Sequence, residues 1–133
     1  MQLSDTQTIG IDAPRDVVLD LVADPAELPR WAPDFARAIR PEGEHWIVDT
    51  GAGDLRIVVR VSRELGTVDF LAAGLPDGIE AGAFSRVVAN GRGCVFAFTQ
   101  FLPADTPEAE VARRRVVVAE ELQAVQRMCA VPA

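Results

Sequence analysis

The run TPEAEVARRRVVVAEELQAVQRMC, from Thr106 to Cys129, is the one segment of this chain long and periodic enough to form a long helix. Thr106 is a suitable N-cap, Pro107 suits the first helical position, and Glu108 and Glu110 place negative charge in the first turn. Pro132 is expected to stop the helix beyond Cys129. Its apolar stripe runs Val111, Val118, Leu122, Val125 and Cys129, widened by Val117, Ala124 and Met128, over about half the circumference. Such a face needs an apolar partner, and the sequence before it is almost all strand-like. The helix must therefore cover a sheet.

Working outward, the chain from Phe35 to Phe101 reads as strands and tight turns. Gly43, Gly51-Ala52-Gly53, Leu65-Gly66, Gly74 to Gly78 and Asn90-Gly91 are the turn signals. They leave strands at 35–41, 44–50, 54–62, 66–73, 80–89 and 93–102. A further strand over Thr6 to Asp12 carries Ile9 and Ile11 on one face. Asp12-Ala13-Pro14 then starts a helix that buries Val17, Val18, Leu21 and Val22. Asp24-Pro25 breaks it and caps a shorter helix through Trp31, ended by Pro33.

Strand parity follows from the charges. Water-facing Arg56 and Arg60 put Leu55, Ile57, Val59 and Val61 inside, with Trp46, Val48 and Thr50 across the hairpin and Val68 and Phe70 across the next. An exposed Arg86 puts Ala83, Ser85, Val87, Cys94, Phe96, Phe98 and Gln100 inside. The opposite face still carries Phe84, Val88, Val95, Ala97 and Phe101, an apolar surface that a second copy would cover in a homodimer.

The 133 residues suffice for one domain with its own core, and 49% of them are apolar, which excludes disorder as the general state. A net charge of −7 provides no basic surface for nucleic acid or acidic lipid. The first residues lack the basic and apolar regions of a signal peptide, and no apolar run is long enough to cross a bilayer. The two cysteines, Cys94 and Cys129, have neither CxxC nor metal-ligand spacing and read as free buried thiols in a reducing cytoplasm.

The run Ile9-Gly10-Ile11-Asp12-Ala13-Pro14-Arg15-Asp16-Val17, then Leu21-Val22-Ala23-Asp24-Pro25 and Leu28-Pro29-Arg30-Trp31-Ala32-Pro33, resembles the opening of the START and pollen-allergen-like (SRPBCC) superfamily, which includes polyketide cyclase/dehydrases. The Asn90-Gly91 hairpin and the terminal helix fall where that pattern has them, so the resemblance spans essentially the whole chain. It implies an α+β helix-grip fold over residues 1–133, in which a curved antiparallel sheet of about seven strands (β-α-α-β6-α) wraps around the long C-terminal helix. It also implies an apolar cavity between sheet and helix that holds a hydrophobic small molecule, polyketide-, lipid- or isoprenoid-like.

The superfamily has no single catalytic motif, so each polar group is weighed by its surroundings. Glu121 has Val117, Val118, Ala124 and Val125 as neighbours on adjacent turns. It is either a desolvated acid–base group facing the ligand or an edge residue that reaches water along its stem. Arg115, among Val111, Ala112, Val118 and Ala119, either anchors a ligand oxyanion or snorkels at the cavity mouth. Arg114 has Glu110 as a ready surface partner, and Arg37 falls on the inner parity with Phe35 and Ile39.

The expected cavity wall comprises Val118, Leu122 and Val125 on the helix, with Val59 and Ser85 on the sheet. The aromatic Trp31, Phe35, Trp46, Phe70, Phe96 and Phe98 join that wall or simply fill the core. Inward Gln7, Thr50, Ser85 and Gln100 either orient a ligand or bond one another. His45, the single histidine, falls on the outer face, and Gly51 and Gly53 belong to a hairpin. Neither a metal nor a nucleotide cofactor is expected. Three readings fit: a cyclase or dehydratase that uses Glu121 and Arg115, a carrier that shelters its ligand without chemistry, and a protein whose cavity is filled by side chains and which works through its surface.

Overall fold

The computed structural model describes residues 1–74 and 82–130. One antiparallel sheet contains β1 (Leu3–Ile11), β2 (Ala38–Glu42), β3 (His45–Asp49), β4 (Asp54–Ser62), β5 (Thr67–Ala72), β6 (Gly82–Asn90) and β7 (Gly93–Leu102). Their order is β1-β7-β6-β5-β4-β3-β2, so strands β2 to β7 form a meander and β1 closes against β7. Helices α1 (Arg15–Val22) and α2 (Leu28–Trp31) join the two edge strands, and α3 (Glu108–Cys129) packs on β1, α1 and α2. This is the expected helix-grip architecture. Residues 75–78 of the expected turn, residues 80 and 81 of the expected strand, and Pro132 lie outside the described residues.

Local chemistry accounts for the helix starts. The carbonyl of Pro14 accepts from the amides of Val17 and Val18, and Asp24 Oδ1 accepts from the Ala26 amide to start the 3-10 turn Pro25–Glu27 ahead of α2. Thr106 does not cap α3. Its hydroxyl donates to the Pro103 carbonyl at 2.7 Å, which leaves Pro107 as the N-cap residue and starts the helix one residue later than expected. In α1, Leu19 is buried and the expected Val17 is 46% exposed, because the helix is covered by α3 on one side and β6 on another and turns Val18, Leu19 and Val22 toward them.

The inner face of the sheet follows the parity read from the charges. Val48, Ile57, Val68, Phe70, Val87, Cys94, Phe96 and Phe98 join Val118, Leu122 and Val125 of α3 in one core. Val61 departs from it at 41% exposed. The β3 pairing ends at Ile57, so the far half of β4 is an uncovered edge. On the outer face the rings of Phe84 and Phe101 lie 5.4 Å apart, and Val88, two pairs further along the same face, is exposed. Ile47, on the same side as His45, is buried outside the core, flanked across the ladder by Arg40 and Arg56. Both cysteines are free and buried, and among the described residues no helix is long and apolar enough to cross a membrane.

Candidate functional site

A cavity of about 210 Å³ lies between α2, α3 and the inner face of β4 to β7. Leu28, Trp31, Ala32 and Phe35 line it from the α2 region, Leu55, Ile57, Phe70, Ala83 and Phe98 from the sheet, and Val118 from α3. Gln100, Arg114 and Glu121 contribute the polar side chains. Of the residues expected at a site, Trp31, Phe35, Phe70, Phe98, Val118 and Glu121 are brought together here.

The others lie elsewhere. Phe96, Leu122 and Val125 are in the packed core, with Trp46 and Val59 against it. Leu19 and Val22 of α1 enter the same core and take up space between sheet and helix. Trp31 is the hub of the aromatic packing, with Phe70 at 6.0 Å and Phe96 at 6.3 Å, both edge-on. Ser85 is committed to the sheet, its Oγ donating to the Val68 carbonyl at 2.6 Å. Thr50 likewise donates to the Gly53 carbonyl at 2.8 Å.

The expected inward orientation of Arg115 is corrected. Its side chain is 59% exposed and its Nε donates to Asp5 Oδ1 at 3.2 Å. The line of α3 that faces the cavity is Arg114, Val118 and Glu121, whereas Arg115 faces the edge strand β1, where the helix runs past the sheet. Arg114 therefore takes the place expected of Arg115. Glu110, its anticipated partner, is instead held by Arg113 through bonds of 2.9 and 2.8 Å. Arg37 is also exposed, because it precedes β2 and lies beside Gly51 at the next hairpin.

Glu121 is 8% exposed and lines the cavity together with Arg114. Burial pushes its carboxyl up to about 7, with Arg114 pulling it down and Asp34 pushing it further up. At neutral pH both protonation states are thus populated inside an apolar cavity. Sequence reasoning missed Asp5, which accepts from Gln7, Gln100 and Arg115. Extending the Ile9–Ile11 parity back through Gln7 was the signal for it, since β1 begins at Leu3 and not at Thr6.

No protein-family model matches the chain, and no curated protein matches its sequence. Its structure is similar to solved ones. A START superfamily protein from Mycobacterium smegmatis matches with a TM-score of 0.72 at 12% identity over 97% of both chains. The Zhui aromatase/cyclase from Streptomyces sp. R1128 matches at 0.68 and 14% identity, over 97% of this chain and 94% of that one. The Aha1 dimer from Colwellia psychrerythraea matches at 0.73 and 16% identity over 97% of both. The chain has the START-like helix-grip fold.

Proposed function

We propose that this protein binds a small, hydrophobic molecule, polyketide-, lipid- or isoprenoid-like, in the cavity beneath α3, and that Glu121 exchanges protons with it to promote cyclisation or dehydration. The observation that carries this reading is the nearly buried carboxyl of Glu121, which lines a mostly apolar cavity beside Arg114, where burial raises its pKa to about 7. A cavity of about 150 Å³ takes benzene, so the 210 Å³ here suits one or two rings or a short acyl segment. The aromatase/cyclase among the similar structures supports the direction of the proposal through fold alone.

Ionised Glu121 would remove a proton from a carbon beside a ligand carbonyl, and Arg114 would favour the resulting enolate oxygen. The enolate carbon then attacks a second carbonyl, and the protonated Glu121 returns its proton to the new alkoxide. In a dehydration, ionised Glu121 removes the proton from the carbon beside the carbonyl and then delivers it to the leaving hydroxyl, so that water departs and a carbon–carbon double bond forms. A group of pKa near the working pH suits both directions of transfer.

The carrier reading has its own support, since among the described residues only Gln100, Arg114 and Glu121 bring charged or amide side chains to an apolar wall. Titration with the apolar dye ANS, and native mass spectrometry of protein purified from its own host, test binding. Neither dye uptake nor a co-purified ligand would overturn both readings. Loss of turnover of a polyketone in Glu121→Gln with binding retained selects the enzyme, binding without turnover in the wild type selects the carrier, and equal turnover in both proteins overturns the role of Glu121. The Phe84, Phe101 and Val88 surface supports a homodimer, which sedimentation equilibrium tests. Cytoplasmic residence fits two free thiols.

A further inference from the structure

Three consecutive arginines on α3 are engaged differently. Arg113 holds Glu110 through bonds of 2.9 and 2.8 Å and lies 3.6 Å from Asp34. Arg115 holds Asp5 at 3.2 Å. Arg114, half-buried between them, lines the cavity and takes part in no ion pair among the described residues. Its positive charge acts on the Glu121 carboxyl about two turns along the helix, which places the guanidinium on the cavity side. Glu121 does not neutralise it, because burial keeps that carboxyl partly protonated at neutral pH. The remaining wall is sorted by polarity. Gln100, Arg114 and Glu121 stand together where α3 meets β7, whereas Leu55, Ile57, Phe70 and Ala72 line the cavity from β4 and β5 without a polar side chain. From β7 to β4 is three strand spacings, about 14 Å along the sheet. One end of the cavity is cationic and the other is apolar.

We propose that the ligand is an apolar carboxylic acid, its carboxylate paired with Arg114 and its hydrocarbon part extending beneath α2 toward β4. This rests on the reading of the cavity as a ligand site and names the polar end of that ligand. A neutral carbonyl or hydroxyl leaves the Arg114 charge uncompensated in a mostly apolar space, and an amine repeats it. A phosphate monoester brings up to two negative charges against a single cation. A carboxylate supplies one counter-charge, and its two oxygens match two N–H groups of the guanidinium. The other guanidinium N–H groups stay available to an enolate oxygen on the same ligand. The charges that act on the site are Arg114 and Glu121 from α3 and Asp34 from the chain between α2 and β2, and among the described residues the sheet lines it with none. Glu121 and the bound carboxylate carry like charge when both are ionised. Binding therefore favours protonated Glu121, and affinity for the acid falls as pH rises through 7.

The test measures 2-naphthoate against its neutral isostere 2-naphthamide by isothermal titration calorimetry, on the wild type, Arg114→Gln, Arg115→Gln and Glu121→Gln. At about pH 6 the wild type is expected to prefer the acid, and Arg114→Gln to shift the ratio of the two dissociation constants toward the amide by about 10-fold or more with amide affinity kept. Arg115→Gln removes the same charge from the neighbouring exposed position and is expected to leave the ratio within about 2-fold. Between about pH 6 and 8.5 the wild type is expected to lose about 10-fold in naphthoate affinity, a loss absent from Glu121→Gln. If both probes bind and Arg114→Gln leaves the ratio unmoved, acid selection is overturned and the cavity reading stands. Should Arg114→Gln not fold by circular dichroism, a wild-type ratio that stays constant with pH overturns acid selection in the same way. If neither probe binds the folded wild type, the cavity reading itself fails.

Discussion

Glu121 makes stability depend on pH in a direction unusual for a carboxylate. Its folded pKa of about 7 lies above the ordinary 4.5, so between those values the folded state holds more protons than the unfolded one. Stability is therefore fully present below about pH 4.5 and is lost as pH rises through 7. At about 1.4 kcal/mol per unit this amounts to about 3 kcal/mol. Urea denaturation of wild type and Glu121→Gln at pH 5 and 8 should show the variant gaining by about that amount at the higher pH. A difference that is flat with pH would mean that Glu121 titrates normally. The neighbours act with opposite signs: Arg114→Leu should raise the Glu121 pKa further and Asp34→Asn should lower it. Arg115→Leu should leave it unmoved and cost no more than about 1 kcal/mol, because Arg115 is largely exposed and Asp5, itself nearly buried, keeps the hydrogen bonds of Gln7 and Gln100. Carboxyl carbon NMR titration reads all three variants. The environment of Glu121 was legible in sequence because four apolar neighbours on adjacent turns define a buried direction. The choice between Arg114 and Arg115 was not, since a helical wheel gives directions and leaves open which strand lies beneath each.

At the scale of elements, turns decide where strands can meet. Gly66 has a φ of +72°, and a Cβ there would meet the Val87 carbonyl oxygen, while the Gly66 carbonyl accepts from the Val87 amide at 2.8 Å. Backbone of β6 is thus pressed against this turn. Gly91 has a φ of +59° but nothing within 4 Å of its missing Cβ. Gly66→Ala should therefore destabilise by about 2–3 kcal/mol and Gly91→Ala by about 1 kcal/mol, the second carrying only the left-handed backbone cost. Thermal unfolding of the two variants separates crowding from conformation, and equal losses would show that β6 can move aside. These turns, with the alternation between them, are why the meander is legible in the amino-acid sequence. The readings that missed were the ones that depend on coverage. Val61 alternates correctly with Val59 yet sits where β4 has lost its β3 neighbour. Val17 belongs to an amphipathic turn but faces away from the two elements that cover α1. Thr106 has cap chemistry but donates its hydroxyl to Pro103, a bond that depends on how the chain leaves β7.

At the scale of the molecule, the long helix closes over a sheet that is wider than the helix can fill. The end of the core beneath Leu122 and Val125 is packed by α1, whereas the end beneath Arg114, Val118 and Glu121 is left as a cavity of about 210 Å³. An empty apolar volume forgoes dispersion contacts, so filling it should stabilise the fold unless the volume serves a ligand. Ala83 is the natural position for the experiment. It lies on the inner face of β6, paired with Phe70 on one side and Gln100 on the other, and it lines the cavity. Ala83→Leu adds three carbons to that space without touching Glu121 or the packed end of the core. Its stability should stay level or rise by about 1 kcal/mol, while affinity for naphthalene or ANS should fall by at least about 10-fold. Opposite movement of the two quantities is the signature of a volume kept open for binding. If the variant instead unfolds and probe affinity of its folded fraction is unchanged, the probes bind elsewhere, and the space beneath Arg114 and Glu121 has no part in holding a ligand.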